Sequence, residues 1–343
     1  MDVYDKPFKT FDELVDLLQI KHGLTVPDRE VAKQILQCTP YYDLVNGYKD
    51  IFMTNDQYDP AIDFTDLYLT HILDRDFQNV LFELSVIVED YFKNILAYVV
   101  AGSFGVDESA YLSFDHYLSL HAAGTRHEIR RDKVIPSLRH IARCSLDNPT
   151  LYYRTRHNHI PPWILLKNTT FSLSSNLLTL LKRPQKQQVL RFMLPIDGNW
   201  DQQFQILLYT LTLVRKCRNT IAHNLKFTSF SGRRYMNNLD KSLLRQLIPE
   251  VLLRDSELDG MMYLDGVYGY LILSLCLIPD RISKYVIINR LFNVIDSNPL
   301  LAGDMQSIGD RVKSYYFRGI RVPLDFRERL SSYVKSLFLE QKA

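Results

Sequence analysis

The sequence contains little cysteine, proline or glycine and has no long apolar segment. It has 14 prolines and 13 glycines in 343 residues, which excludes a collagen-like or low-complexity chain. The longest apolar run, residues 267–278, is shorter than the roughly 20 residues that a membrane helix requires. The cysteines are widely spaced and form no Cys-x-x-Cys pair, which excludes a typical zinc knuckle and favours a reducing compartment. They are Cys38, Cys144, Cys217 and Cys276.

The signatures of several common function classes are also missing. The sequence has no Walker loop, Gly-x-Gly-x-x-Gly or Gly-x-Ser-x-Gly motif, so ATP hydrolysis, dinucleotide redox chemistry and serine hydrolysis have no support. His116, His121 and His127 match no standard spacing of metal ligands, and we expect them to be exposed. Residues 1–11 lack the apolar core of a secretory signal. We therefore expect a cytoplasmic protein that needs no metal or other cofactor and contacts no membrane.

Charge is distributed unevenly along the chain, although the net charge is only +2. Residues 1–118 contain 21 acidic and 8 basic side chains, whereas residues 119–254 contain 7 acidic and 22 basic ones. Residues 255–343 are balanced. A basic middle third is typical of a surface that binds nucleic acid. The alternative is that the acidic first third packs over the basic region and neutralises it.

Apolar residues recur at helical spacing along most of the chain, so the sequence predicts an all-α fold. A long helix is predicted over residues 63–101, with Gly102 and Gly105 ending it. A helix that begins at Trp200 is predicted to end near His223. The other predicted helices start at the Pro161-Pro162 pair or cover residues 126–143, 239–253, 261–277, 281–296 and 326–339.

The sequence also indicates where individual helices begin and how the chain is divided. Thr10 and Glu13 have the spacing of a capping box before the first helix. Thr25, followed by Pro27, has the pattern of an N-cap before the second. We expect three parts, which are an N-terminal helical segment, a helical core and a C-terminal helical region. Their respective ranges are residues 1–62, 63–235 and 236–343.

The most informative string is Arg-Asn-Thr-Ile-Ala-His over residues 218–223. On a helical wheel, Arg218 and His223 lie about 140° apart and frame a polar face. RNA cleavage without a metal needs a base for the 2′-hydroxyl or an acid for the 5′-oxygen, and a cation for the phosphate. Histidine titrates near neutrality, and arginine can bind a phosphate with two parallel hydrogen bonds. Arg218 and His223 are therefore the candidate catalytic residues; the alternative is a helix end with two exposed side chains.

This string resembles the RNxxxH motif of the HEPN (higher eukaryote and prokaryote nucleotide-binding) superfamily, whose members are all-α and often ribonucleases. Other segments resemble one of its branches, the Abi-like family of phage abortive-infection proteins, in order and spacing across about residues 6–230. The chain departs from that pattern at Asp43, where arginine is usual, at Ser172, where glycine is usual, and at Asn224, where a second histidine is common. The similar segments are residues 7–11, 41–48, 73–77, 87–89, 162–164 and 171–174.

The resemblance implies a HEPN-type helical bundle and a metal-independent endoribonuclease toxin whose active site combines two RNxxxH motifs. This chain has one good copy, so a homodimer is expected to bring two together. Arg154 and His159 have a similar spacing but no asparagine after the arginine, and a polar loop is the alternative there. By analogy, the antitoxin is a small protein or a structured non-coding RNA.

Further residues are assigned roles around the motif. Asn219 belongs to it, and Glu89 is assigned as the ionic partner of Arg218, with an ordinary exposed glutamate as the alternative. Basic residues near helical spacing are assigned to RNA contact, with a solvated face as the alternative. They are Arg126, Arg130, Arg131, Lys133, Arg215 and Lys216. Two other functions stay open: a non-catalytic RNA-binding scaffold of the same fold, and a metal-dependent nuclease.

Overall fold

A computed structural model describes residues 6–119, 131–236, 238–296 and 306–339. As predicted, the fold is all-α; across these ranges the only strands, β1 (Met53–Thr54) and β2 (Gln57–Tyr58), form one short antiparallel hairpin. The α-helices are α1 (Phe11–Asp16), α2 (Arg29–Cys38), α3 (Lys49–Phe52), α4 (Phe64–Phe104), α5 (Glu108–Tyr111), α6 (Arg131–Cys144), α7 (Thr150–Arg156), α8 (Pro162–Leu165), α9 (Phe171–Leu180), α10 (Arg183–Met193), α11 (Trp200–Ala222), α12 (Lys241–Leu247), α13 (Asp255–Asp259), α14 (Val267–Leu277), α15 (Arg281–Asp296), α16 (Gln306–Gly319) and α17 (Phe326–Leu339).

The N-terminal helices pack on a small core of their own, which includes Val15, Leu36 and Tyr48. Thr10 caps α1 through the capping box with Glu13 that the sequence indicates. The prediction for the second helix was wrong. Thr25 pairs with Asp63 in an isolated bridge. The helix begins later, because the Asp28 carboxylate accepts a hydrogen bond from the Val31 backbone N–H at 3.0 Å and so caps α2.

Helix α4 is the central element, 41 residues and roughly 60 Å long. Asp63 caps it by accepting hydrogen bonds from the backbone N–H groups of Thr65 and Asp66. Gly105 ends it with φ 87°, a conformation that glycine adopts at little cost. Helices α10, α11, α15 and α16 all pack against α4. The predicted boundaries of this helix were therefore close to the observed ones.

The C-terminal helices share the main hydrophobic core with α4 and α11. Helix α14 is buried on almost every side, and α15 and α17 have the predicted bounds. The helix predicted over residues 239–253 is shorter, because Ile248 precedes Pro249 and adopts an extended conformation there. Helices α10 and α16 were not predicted. Among the described residues, no helix is both long and apolar enough to cross a membrane.

Candidate active site

Helix α11 carries the Arg218–His223 string at its C-terminal end. Asn199 begins the helix by accepting backbone hydrogen bonds from Asp201 and Gln202, and Cys217 lies on the buried side. The Arg218, Asn219 and His223 side chains are exposed. The packing of one face of α11 into the core therefore presents the polar motif residues on the surface, as the helical wheel predicts.

The chain leaves α11 through a left-handed turn directly after His223. Asn224 has φ 56°, the Asn224 N–H donates to the Ile221 carbonyl at 3.0 Å, and the Leu225 N–H donates to the Thr220 carbonyl at 2.8 Å. This pattern is a Schellman motif, which usually has glycine at the left-handed position but accepts asparagine. The turn thus fixes His223 as the C-cap residue of α11.

Arg218 faces an acidic residue of α4. Its Nε lies 3.9 Å from Oε2 of Glu89, whose side chain is 15% exposed, while Arg218 is 44% exposed. Glu89 also pairs with Lys93 at 2.7 Å, and Lys93 Nζ donates to the Thr169 carbonyl at 2.7 Å. The shorter contact of Glu89 is thus with Lys93. Arg218 keeps most of its hydrogen-bonding capacity for a ligand, with one carboxylate beside it.

The other end of the site is formed by Arg75 of α4. Its guanidinium donates to the Asn224 side-chain oxygen, and the Asn224 amide donates to Asp43 at 3.4 Å. Since Arg75 contacts the residue after α11 while the later residue Glu89 contacts Arg218, the two helices run in opposite directions. The exposed arginines Arg75 and Arg218 flank the end of α11.

A buried carboxylate lies beneath this end of α11. Asp74 accepts hydrogen bonds from the Tyr48 hydroxyl at 2.7 Å, the Tyr316 hydroxyl at 2.6 Å and the Gln78 amide at 3.1 Å. Lys226 Nζ lies 3.7 Å from it. Gln78 also donates to the Leu225 carbonyl at 3.1 Å, which joins the network to the turn after His223. We call these residues the Asp74 network.

The ionisation states in this network follow from its burial. Burial raises the pKa of Asp74, whereas Lys226 and the hydrogen bonds from Tyr316 and Tyr48 act in the opposite direction. Burial lowers the pKa of Lys226, and Asp74 opposes that shift. The pKa of His71 falls to about 4, mainly through burial and then through Lys226. His71 is therefore neutral at pH 7, and its Nδ1 accepts from Lys226 Nζ at 3.1 Å.

Three segments that are far apart in sequence meet here. Tyr48 and Asp43 belong to the tyrosine-rich segment over residues 41–48, Asp74 and Arg75 to the segment over residues 73–77, and residues 218–226 comprise the motif and the turn after it. No sequence pattern marks Asp74, Tyr48, Lys226 or His71 as site residues, although Asp74 and Tyr48 lie within the family-like segments over residues 73–77 and 41–48. Tyr316, more than 240 residues from Asp74, had no sequence signal at all.

The residues assigned to RNA contact are placed differently from one another. Arg215 donates to the Ser172 hydroxyl at 3.2 Å, and Lys216 donates to the Ser231 carbonyl beside the Phe230 ring. Burial lowers the pKa of Lys216. Arg131 donates to the Phe114 and Tyr117 carbonyls, whereas Lys133 is exposed. Arg126, Arg130, His121 and His127 lie outside the described residues. Of the residues assigned to RNA contact that the structure describes, Lys133 therefore has the most exposed cation.

The second Arg-x4-His string lies in a different environment. Arg154 donates to the Ala142 carbonyl at 3.2 Å and to the Ser145 carbonyl at 2.7 Å, so it covers the C-terminal end of α6. The His159 ring lies 2.8 Å from the Asn158 side chain. The Arg154 guanidinium is therefore occupied in capping α6. Within the described ranges, no cluster of three or more His, Cys, Asp or Glu side chains is arranged to hold a metal ion.

A cleft with an aromatic wall lies next to the Arg218–Glu89 pair. It has a volume of about 400 Å³ and is lined by Trp163, Tyr91, Lys93, Asn94 and Lys167, among others. The Trp163 side chain is 47% exposed. Lys93 is the residue that pairs with Glu89, so the cleft is one side chain away from Arg218. An exposed indole can hold a nucleobase by stacking, and the two lysines of the lining pair with Glu89 and Asp90.

Replacing Asp74 with alanine is expected to lower the free energy of unfolding by about 3–5 kcal/mol, because Lys226 and two tyrosine hydroxyls would stay buried without their partner. Asp90→Ala, on the same helix, is the matched control. It breaks only the exposed pair with Lys167 and should cost about 0–1 kcal/mol. Urea unfolding of both variants measures the difference. Equal midpoints would show that the Asp74 network does not stabilise the fold.

The comparison with known proteins agrees with this convergence of segments. No curated protein and no solved structure matches the chain. The family model described as "Abi-like protein" matches residues 34–228, which include the tyrosine-rich segment, Asp74, Arg75 and the whole of α11. Since this match covers more than half of the chain, the protein belongs to the Abi-like protein family.

Proposed function

We propose that the protein is a metal-independent endoribonuclease toxin that acts in phage abortive infection or in a toxin–antitoxin system. The observation that carries the proposal is the exposed end of α11, where Arg218, Asn219 and His223 lie beside Glu89 and Arg75. Family segments from other parts of the chain meet at the same place. Such a convergence of exposed polar side chains on a buried support is typical of a functional site.

In the proposed reaction, His223 removes the proton of the ribose 2′-hydroxyl or donates a proton to the leaving 5′-oxygen. The 2′-oxygen forms a bond to phosphorus while the bond from phosphorus to the 5′-oxygen breaks, and the 5′-oxygen receives a proton. The products are a 2′,3′-cyclic phosphate and a 5′-hydroxyl. Arg218 stabilises the negative charge that the phosphate oxygens gain.

Substrate binding is assigned to the surroundings of the motif. Arg75 contacts Asn224 directly after α11, and the Trp163 cleft includes Lys93, which pairs with Glu89. Arginine can hold the backbone phosphates, and the indole of Trp163 can stack on a base. Lys133 and the other exposed cations of the basic middle third supply the salt-dependent part of the affinity.

Incubation of the purified protein with total RNA in EDTA tests the proposal against the two other functions. The proposed enzyme cuts RNA in EDTA and leaves 5′-hydroxyl ends. A metal-dependent nuclease is inactive under these conditions and regains activity with magnesium. A non-catalytic RNA-binding scaffold retards RNA in a gel but does not cut it with or without a metal. Sequencing of RNA ends after induced expression then identifies the cleaved RNA.

A homodimer that places two α11 helices side by side is the expected assembly, because one chain supplies one RNxxxH string and the reaction uses both a base and an acid. Light scattering should give about twice the mass of 40.2 kDa. Mixing inactive Arg218→Ala chains with inactive His223→Ala chains should change the activity if the site is shared between chains. A monomer that cuts RNA at full rate would contradict this assembly.

By family analogy, the toxin is paired with an antitoxin, either a structured non-coding RNA or a small protein. The basic middle third favours the RNA. Treating the natively purified complex with a ribonuclease or with a protease distinguishes the two. Release of toxin activity by the ribonuclease identifies an RNA antitoxin. Release of toxin activity by a protease that leaves this chain intact identifies a protein antitoxin.

A further inference from the structure

A second cavity is lined by none of the motif residues and lies in a part of the chain that the family match does not reach. Its volume is about 670 Å³, within the usual range for sites that bind small molecules. It is formed by the loop after α11, the segment between α13 and α14, and the turn after α16. All of its lining residues come after residue 228, where the family match ends.

The cavity carries an excess of positive charge. Three arginines, Arg233, Arg318 and Arg321, line it, and Asp265 is the only acidic residue in its wall. Asp265 pairs with Arg321 at 3.2 Å. Within the described ranges, Arg233 and Arg318 form no ion pair, and both are exposed. Two guanidinium groups are thus available for an anion, and arginine binds phosphate through two parallel hydrogen bonds.

The rest of the wall is apolar and partly exposed. Met262 is 46% exposed and Leu324 is 57% exposed, and Met236, Met261 and Tyr263 lie nearby in the lining. Methionine side chains are polarisable and adapt to flat ligands. A ligand that covers this wall has an apolar part in addition to its negative charge.

The backbone around the cavity is unusual. Met261, Tyr263 and Arg321 have φ of 51°, 62° and 57°. In the described part of the chain, the other non-glycine residues with left-handed φ are all asparagine or aspartate, which tolerate this region. Bulky residues there are rare and cluster at functional sites, where the surrounding structure holds them in place. All three such residues in the described ranges line this one cavity.

We infer that this cavity binds a mononucleotide, with its phosphates on Arg233 and Arg318 and its base against Met262 and Leu324. The combination of free guanidinium groups with an apolar wall decides between ligand classes. Inorganic phosphate would leave the apolar wall uncovered, and an apolar metabolite would leave the cations without a partner. A nucleotide would contact both the cations, through its phosphates, and the apolar wall, through its base. Arg218 and His223 do not line this cavity, so this inference does not depend on the ribonuclease proposal.

Isothermal titration of the full-length protein with AMP, ATP, GTP and UTP tests the inference. At least one of them should bind, and inorganic pyrophosphate should bind more weakly because it lacks a base. Arg233→Ala should weaken nucleotide binding by about tenfold or more, since it removes a charge-assisted contact. Arg234→Ala is the matched control. Arg234 is the adjacent exposed arginine, lies outside the cavity lining and should have no effect.

Arg318→Ala should weaken binding to a similar extent, and the melting temperatures of all three variants should stay close to that of the wild-type protein. Three results would overturn the inference. They are the absence of binding by every nucleotide at millimolar concentration, equal binding by the Arg233→Ala and Arg234→Ala variants, and tighter binding of pyrophosphate than of any nucleotide. Preferential binding of a short RNA oligonucleotide through Arg233 would instead assign the cavity to an RNA surface.

Discussion

The His223→Ala variant is expected to cut RNA about 10² to 10⁴ times more slowly than the wild-type protein, the usual loss when a general acid or base is removed. His223 is the C-cap residue directly after α11, and its side chain is exposed, so alanine removes the imidazole without opening the core. The Schellman turn uses only backbone groups of residues 220–225 and stays intact. Circular dichroism and the melting temperature should therefore be unchanged. Initial rates on a defined RNA substrate measure the effect.

His159→Ala is the matched control for this variant. It removes a half-buried histidine from the other Arg-x4-His string, where the ring contacts Asn158. Its cleavage rate should equal that of the wild-type protein. A His223→Ala rate within threefold of wild type would remove His223 from the chemistry. A large loss in His159→Ala would assign the second string to the active site after all.

Arg218→Lys is expected to be nearly as inactive as Arg218→Ala, because geometry and not charge alone determines the role of this residue. In a pentavalent transition state, the phosphorus presents equatorial oxygens that a planar guanidinium can bind with two parallel hydrogen bonds. Lysine keeps the charge but provides a point contact on a flexible stem. Glu89, 3.9 Å from Nε of Arg218, is placed to orient the guanidinium and would not orient an ammonium group in the same way.

Single-turnover cleavage and RNA binding, measured separately, test this expectation. The loss should occur in the chemical step with RNA affinity little changed, since Lys133, Arg75 and other exposed cations still hold the strand. Arg191→Lys, an exposed arginine on α10, serves as the control for a general effect of arginine replacement. Lysine at position 218 with near wild-type rate would reject the bidentate contact. An alanine variant defective only in binding would make Arg218 a docking residue.

Helix positions could be predicted where local chemistry decides them. Asp63 and Gly105 delimit α4 through capping and a left-handed residue, and both effects depend on near neighbours in sequence. The bounds of α15 and α17 follow from the apolar spacing. The start of α14 could not be predicted, because Met261 and Tyr263 adopt left-handed conformations that their residue types do not favour. Only contacts with the surrounding chain hold such a segment.

The candidate site likewise has features that the sequence predicts and features that it does not. The helical repeat of about 3.6 residues determines that Arg218 and His223 share a polar face opposite Cys217, and the sequence is sufficient for that conclusion. The neighbours of Arg218 depend on how α4 crosses α11, and the sequence indicated Glu89 but not its shorter contact with Lys93.

The sequence by itself thus determined the helical class, the cap of α1, the approximate ends of α4 and the face on which the motif lies, because each depends on interactions between residues a few positions apart. Only the tertiary structure decided that Asp74 is buried, with Tyr48 and Tyr316 as its partners, and that three strained residues enclose a basic cavity. Burial makes an unpaired carboxylate costly, and its partners can come from any part of the chain. No local pattern specifies a contact between residues 74 and 316; the packing of α16 against α4 does.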